Sequence, residues 1–381
     1  MRRPPMSTGS CGRATTTVRV HSSPTFIRSP SGGGFPIEPC IAHARASAPA
    51  RSRIGSCRWK KTVVGSNATS RSPVVLAGSR SAALGAAVAA PLGVALGDVA
   101  VARFPDGELH VEVGEPVRGR CVYVVQSTGA PVGEALLELL LVADACRRAG
   151  ASRVVALVPY LGYARQDRRR RDGEALGIRV VADVLAAGGF ERAVTIDLHA
   201  PATEGCFSVP LDHVSAIPQL AEAVRRAASG PCVVVAPDAG AARMAEQYAH
   251  ILGAPTALVQ KYRRGAEDVE VAHVVGDVAG RRPILVDDIV STGGTIEAAL
   301  RAVLARGARP GAIVVATHLV PAAPGAARLA GLPIERVIAT DSLPAPAAPL
   351  ALERVSVGPL LAEVIARMEQ GEGLGDLLGA R

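Results

Sequence analysis

From Val74 onward, short apolar runs rich in β-branched residues alternate with longer stretches whose apolar positions recur every three or four residues. That alternation predicts β-α-β units and a parallel sheet. The runs predict strands at Cys121–Val125, Val154–Val158, Val194–Ile196, Val233–Ala236, Ile284–Val286 and Ile313–Ala316. Helical spacing predicts helices over Glu134–Ala149 and Ile296–Arg306, with Gly150 and Gly307 closing them. Before Val74 neither period is sustained: Met1–Pro73 is rich in Ser, Arg, Pro and Gly and shows no core-forming pattern. No apolar run reaches the length of a membrane span, since Leu84–Leu96 is broken by Pro91 and Leu136–Ala143 contains Glu138.

Two stretches echo each other. Gln126-Ser-Thr-Gly129, a helix, Arg148-Ala-Gly-Ala151 and a strand recur as Ser291-Thr-Gly-Gly294, a helix, Arg306-Gly-Ala-Arg309 and a strand. A duplicated α/β unit follows, with a tail over 1–73, one half over 74–215, a second over 216–370 and a short tail over 371–381.

Charge sharpens that division. The chain of 381 residues carries a net +8, but Met1–Pro73 holds ten Arg and two Lys against Glu38 alone, or +11. The remainder has 30 basic and 33 acidic residues, or −3, so the basic character belongs to the tail and gives no reason to expect a nucleic-acid-binding body. An Arg- and Ser-rich, acid-poor leader fits either an organelle transit peptide or, the favoured reading, an over-extended start, with translation beginning at a non-ATG codon near Val63–Val74. The body reads as cytoplasmic, or as organellar if the tail is a transit peptide. Four of the seven cysteines, Cys121, Cys146, Cys206 and Cys232, are far apart in the body with no C-x-x-C spacing, which fits a reducing compartment better than a disulfide framework or zinc site.

The most specific string is Ile284-Leu-Val-Asp-Asp-Ile-Val-Ser-Thr-Gly-Gly-Thr295 followed by a helix. An apolar strand delivers Asp287 and Asp288 to the edge where open α/β sheets bind ligands. The loop Ser291, Thr292, Gly293, Gly294, Thr295 then opens a helix, where converging backbone N–H groups, the helix dipole and hydroxyls suit a phosphate. Adjacent carboxylates beside a phosphate cradle suit the vicinal hydroxyls of a ribose. His199 and Asp197 are two positions apart, which on a strand would aim both side chains the same way.

The string resembles the PRPP-binding loop shared by type I phosphoribosyltransferases and PRPP synthetases. Further segments resemble the synthetases: Arg103-Phe-Pro-Asp-Gly-Glu108, Tyr160-Leu-Gly-Tyr-Ala-Arg-Gln-Asp-Arg-Arg169, Thr195-Ile-Asp-Leu-His-Ala200, Val234-Val-Ala-Pro-Asp-Ala-Gly240 and Ala257-Leu-Val-Gln-Lys-Tyr-Arg263. Together they run from about Val74 to about Met368. The resemblance implies two tandem phosphoribosyltransferase-like α/β domains with parallel sheets, and a diphosphate transfer from Mg·ATP to ribose 5-phosphate. It assigns Phe104, Asp106, Gly107 and Glu108 to the adenine site, and Arg165, Gln166 and His199 to ATP. Asp287, Asp288 and Ser291–Thr295 go to ribose 5-phosphate, and Lys261 and Arg263 to a catalytic flap. Mg²⁺ is the implied cofactor, with His199, Asp238, Asp197 and Asp212 as its handlers. Partners are the two substrates, with no nucleic acid or membrane, and further copies of the chain in a dimer-based homo-oligomer, up to a hexamer.

The pattern also departs from the family. Gln260 and Tyr262 flank Lys261 where an Asp and an Arg are usual, and Ser291 and Ser208 each replace an Asp. After Arg171 the chain reads Asp172-Gly-Glu-Ala-Leu-Gly-Ile178 in place of a Ser/Arg-rich stretch, which puts phosphate activation and ADP inhibition in doubt. The alternatives to an active enzyme are a non-catalytic subunit of the PRPP-synthetase-associated kind, or a phosphoribosyltransferase that uses PRPP.

Overall fold

A computed structural model describes residues 72–262, 271–320, 323–347 and 349–379. Its first half, which passes the expected boundary at 215 to take in one more helix, runs β1 (Val74–Ala77), α1 (Ala82–Ala89), β2 (Val99–Arg103), β3 (Leu109–Val113), β4 (Cys121–Val125), α2 (Val132–Arg148), β5 (Arg153–Leu157), α3 (Gly177–Ala187), β6 (Arg192–Ile196), β7 (Leu211–Val214) and α4 (Ile217–Ala227). The second repeats that order: β8 (Cys232–Ala236), α5 (Ala242–Leu252), β9 (Thr256–Tyr262), β10 (Val271–Val275), β11 (Arg282–Val290), α6 (Gly294–Ala305), β12 (Ala312–Leu319), α7 (Ala323–Ala330), β13 (Ile334–Thr340), β14 (Leu352–Val355) and α8 (Gly358–Gln370). The duplication seen around two loops thus extends to every element.

Each half builds a parallel sheet. The first has the order β1-β4-β5-β6-β7, the second β10-β9-β8-β11-β12-β13-β14 with only β9–β10 antiparallel. The halves differ at the hairpin: β9–β10 joins its sheet beside β8, whereas β2–β3 stands as a separate two-stranded ribbon. The central strands are runs such as Cys121-Val-Tyr-Val-Val125, buried at every position because helices cover both faces. In α2 the buried residues Ala135, Glu138, Leu139, Val142, Ala143 and Cys146 fall at spacings of three and four, and Gly150 closes the helix at φ 89°.

The last helix of each half covers the other half. α4 packs on α5 and on β12 to β14, and α8 packs on α1. The inner core is accordingly shared: Val75, Tyr123 and Val194 of the first sheet sit in one cluster with Val234, Ile284 and Ile313 of the second and with Leu361 and Ile365 of α8. Tyr123 Oη donates to Glu369 of α8 at 2.7 Å. Separate clusters cover the two outer faces. The described residues therefore pack as one compact unit. The segment after α8 is more than a tail, since Ser215 N donates to Leu377 O and Gly379 N to His213 O, which lays it against the edge strand β7.

No helix among the described residues is long and apolar enough to cross a membrane. Cys121, Cys146, Cys206 and Cys232 are all free thiols.

Candidate active site

The C-terminal ends of both sheets open on one cavity of about 490 Å³, whose lining includes Arg165, His199, Asp238, Asp287, Asp288 and Thr295. β11 builds its floor. It pairs with β8 only as far as Leu285 but continues beside β12 to Val290, so Asp287 and Asp288 lie past the end of β8 with β12 still alongside. The expected strand end at Val286 falls short by four residues, because β12 supplies hydrogen-bond partners after the apolar run stops.

The two carboxylates are pushed in opposite directions. Burial, then the charges of Asp288 and Asp238, raise Asp287 to about 8. Burial also pushes Asp288 upward, but a hydrogen bond and charge from His199 outweigh it and hold the group below its usual value. The contact is His199 Nδ1 to Asp288 Oδ2 at 2.7 Å, and it raises the imidazole's own pKa. Adjacent buried carboxylates share one proton more readily than they carry two charges.

The loop after β11 turns into α6 through Gly293, which caps the helix at φ 71°. Thr295 reaches the cavity wall. The loop is held from behind by α7: Arg328 Nη1 donates to Thr292 O at 2.9 Å and Arg328 Nε pairs with Glu297 at 3.2 Å. Gly325 lies so close that a Cβ there would stand 1.8 Å from Ser291 O. Asp238 starts the turn after β8, its Oδ1 accepting from Gly240 N at 2.9 Å and Ala241 N at 3.3 Å.

Other expected residues fall elsewhere. Gln166 does not line the cavity beside Arg165: its amide packs on Gly177 at the start of α3, whose Cβ position would be 2.5 Å from Gln166 Oε1. Phe104, Asp106, Gly107 and Glu108 form the β2–β3 tip, where Asp106 Oδ1 accepts from Glu108 N and the half-exposed Phe104 ring meets His110 edge-on at 5.4 Å. That tip also lies outside the cavity lining. Lys261 sits in β9 opposite Ala272, one pair from the last described pair of the hairpin, Tyr262 and Val271. Arg263 lies outside the described residues, as does the Met1–Pro73 leader through residue 71.

Two of the four expected metal handlers, Asp197 and Asp212, are engaged by other groups of the fold. Asp197 follows β6 at φ 40°, beyond the reach of strand alternation, and lines the same cavity as His199. Its Oδ2 accepts from Ala216 N at 3.1 Å and Thr317 Oγ1 at 2.7 Å. The duplicated residue Asp341 does the same structural job in the second half, accepting from Val357 N at 2.8 Å. Asp212 stands near the start of β7, away from the C-terminal sheet edge, and is paired with Arg192 at 2.6 Å. Among the described residues no three His, Cys, Asp or Glu side chains form a metal cage. The remaining donors do fit magnesium. Asp238 and His199 line one cavity with Asp287, whose carboxyl is pushed up first by burial and then by the charges of Asp288 and Asp238. A hard cation that keeps several waters and takes the rest of its oxygens from phosphates suits such an open carboxylate site.

Arg243, on the first turn of α5, was not anticipated from sequence. It lines the cavity, is exposed, and makes no hydrogen bond or ion pair among the described residues. In the sequence it is one arginine in an Ala-rich helix, and its place five residues after Asp238 is the signal that could have marked it.

Comparison with known proteins covers both halves. Residues 73–189 match a family described as the N-terminal domain of ribose phosphate pyrophosphokinase, and residues 212–329 match the phosphoribosyl transferase domain. A ribose-phosphate pyrophosphokinase of Caldanaerobacter subterraneus is 41% identical over 80% of the chain and 96% of its own length, and that of Aquifex aeolicus 37% over 80% and 98%. The crystal structure of phosphoribosylpyrophosphate synthetase from Mycobacterium smegmatis superposes with a TM-score of 0.74 at 37% identity, covering 79% of this chain and all of that one. Relatives matched almost end to end, in sequence and in fold, leave one assignment: the chain belongs to the ribose-phosphate pyrophosphokinase family.

Proposed function

We propose that the cavity transfers the diphosphate of Mg·ATP to the 1-hydroxyl of ribose 5-phosphate, giving PRPP and AMP. The observation that carries this reading is the meeting of His199 from the first sheet with Asp288 from the second at 2.7 Å, where the two substrate halves of the site join. The Ser291–Thr295 loop takes the 5-phosphate at the N-terminus of α6. Asp287 and Asp288 take the sugar hydroxyls, and a protonated Asp287 can donate as well as accept. Arg165 and Arg243 supply guanidinium forks for the polyphosphate, and among the described residues neither is tied to a carboxylate.

Asp238 and His199 are the residues that would hold magnesium, whose chemistry here is to neutralise polyphosphate charge. The 1-hydroxyl oxygen bonds to the β-phosphorus and gives up its proton to water, while the bond from that phosphorus to the α–β bridging oxygen breaks and AMP departs with that oxygen. Positioning and late delivery of positive charge from Lys261 and Arg263 stabilise this transition state.

The adenine end goes to Phe104, Asp106, Gly107 and Glu108. Because their tip lies outside the cavity of its own chain, a homo-oligomer would bring it in from a second copy. The protein is read as cytoplasmic. The test is an assay for AMP and PRPP with ATP and ribose 5-phosphate, and a chain that makes neither overturns the reading. Mixing inactive Phe104→Ala and Asp288→Asn chains should restore part of the activity, and no recovery removes the second-copy assignment.

A further inference from the structure

His318, near the end of β12, is 2% exposed and sits between the two sheets. Its Nε2 is 3.0 Å from the Ile196 carbonyl at the end of β6, and its Nδ1 is 2.8 Å from Ser342 Oγ just past β13. A carbonyl only accepts, so Nε2 carries the proton and Nδ1 accepts from the Ser342 hydroxyl. Burial pushes this pKa down and keeps the ring in that neutral form. Tyr160 meets the ring edge-on at 5.1 Å. Next to it Thr317 Oγ1 donates to Asp197 Oδ2 at 2.7 Å, and Ser127 Oγ, just past β4, donates to the Ser342 carbonyl at 2.5 Å. The contacts to Ile196, Tyr160, Asp197 and Ser127 run from one sheet to the other, while the Ser342 hydroxyl holds the ring from within the second half.

The placement of the ring relates it to the cavity. In the β11–β12 register His318 stands opposite Ile289, the neighbour of Asp288. Its other end holds Ile196, three residues before His199. The imidazole is thus a strut between the strand pair that carries Asp288 and the strand that leads to His199. We infer that His318 is a positioning residue which, with Thr317, fixes the separation of the two sheets and through it the His199–Asp288 contact. The inference rests on the cavity being the site of diphosphate transfer. Ribose 5-phosphate is held by the loop of the second sheet, and ATP by Arg165 and His199 of the first with Arg243 and Asp238 of the second. Each keeps most of its contacts if the sheets shift slightly. A change in the separation should therefore leave each substrate bound but misalign them.

His318→Leu fills the space without hydrogen bonds, and His318→Gln can still donate to Ile196 O. For His318→Leu, kcat should fall about 10²-fold, the scale of a ~1 Å misplacement, with both KM values within about threefold of wild type. His318→Gln should recover at least about tenfold of that loss. A folded His318→Leu with wild-type kcat, or equal kcat in the Leu and Gln variants, overturns the inference, as does a loss confined to KM. If His318→Leu does not fold, Thr317→Val, a near-isostere, decides. It should lower kcat about tenfold at unchanged KM, and an unchanged kcat overturns the inference. Asp288→Asn in the same assay separates the two questions, since wild-type activity in that variant sinks the site reading itself, whatever His318 does.

Discussion

Replacing Gly325 with Ala tests how the phosphate loop is held. A Cβ on Gly325 would stand 1.8 Å from Ser291 O, 2.9 Å from Ser291 C and 3.2 Å from Thr292 C, all backbone atoms that no side-chain rotation can move aside. Restoring a separation of 3.0 Å requires a shift of about 1.2 Å between α7 and the loop. If the loop moves, its N–H groups leave the phosphate position. If α7 moves, Arg328 loses its hold on Thr292 O and Glu297. Both routes displace the cradle by about 1 Å, a misplacement worth about 10² in rate, or about 2.7 kcal/mol of transition-state binding. Helix propensity opposes this, since Ala is favoured over Gly inside a helix by about 1 kcal/mol. The clash should win, because overpacking against fixed backbone costs about 1–3 kcal/mol. Steady-state AMP formation with ribose 5-phosphate varied at saturating ATP should show kcat/KM for ribose 5-phosphate lowered about 100-fold while ATP saturation hardly moves. Thermal unfolding should shift down. A variant with a raised melting temperature and unchanged kcat/KM would refute the reasoning.

Lys261→Ala should lower turnover by roughly 10²–10³-fold with both saturations nearly unchanged, and near-normal turnover would move Lys261 out of the transition state. Asp287→Ala with Asp288→Ala should chiefly weaken ribose 5-phosphate, and a shift in ATP saturation alone contradicts the division of the site. Asp287 is raised to about 8 in the fold, so the folded chain holds a proton that the unfolded chain has lost; its contribution to stability is lost as pH rises from about 4 through about 8. His199, also raised, acts in the same direction above its ordinary value. Without ligands the melting temperature should therefore fall between pH 6 and pH 9, and Asp287→Asn should flatten that fall; an unchanged slope counts against the buried pair. A chain beginning at Val74 should form PRPP as fast as the full-length chain, and lost activity at equal concentration would give residues 1–73 a role.

The sheet was legible because its central strands are buried on both faces and leave unbroken apolar runs. The run over β11 stops at Val286, so its last four residues were hidden behind two charges whose pairing depends on β12. Asp287, Asp288, Thr295, Arg165 and His199 were readable because their order in the chain matches their arrival at one sheet edge. Asp197 reaches the cavity lining, but not by the alternation expected of it, which holds only inside a strand: a left-handed residue follows β6. Asp212 carried the right chemistry at the wrong end of β7. The supports, Gly325, Arg328 and His318, could not be found by pattern: each acts through a partner distant in the chain, and a Gly, an Arg or a His looks ordinary until that partner is placed.

The crossed helices bear on how the protein is made. α8 covers the α1 side of the first sheet, yet its residues, Gly358–Gln370, are synthesised after every strand of both sheets. While the chain is still on the ribosome, β1 to β7 can pair, but the face built around Val75 and Tyr123 has no α8 until the second sheet has emerged as well. The second sheet receives its cover, α4, before its own first strand appears. The half made first is thus the last to be sealed, and its bare apolar face during translation is where aggregation or chaperone capture should concentrate.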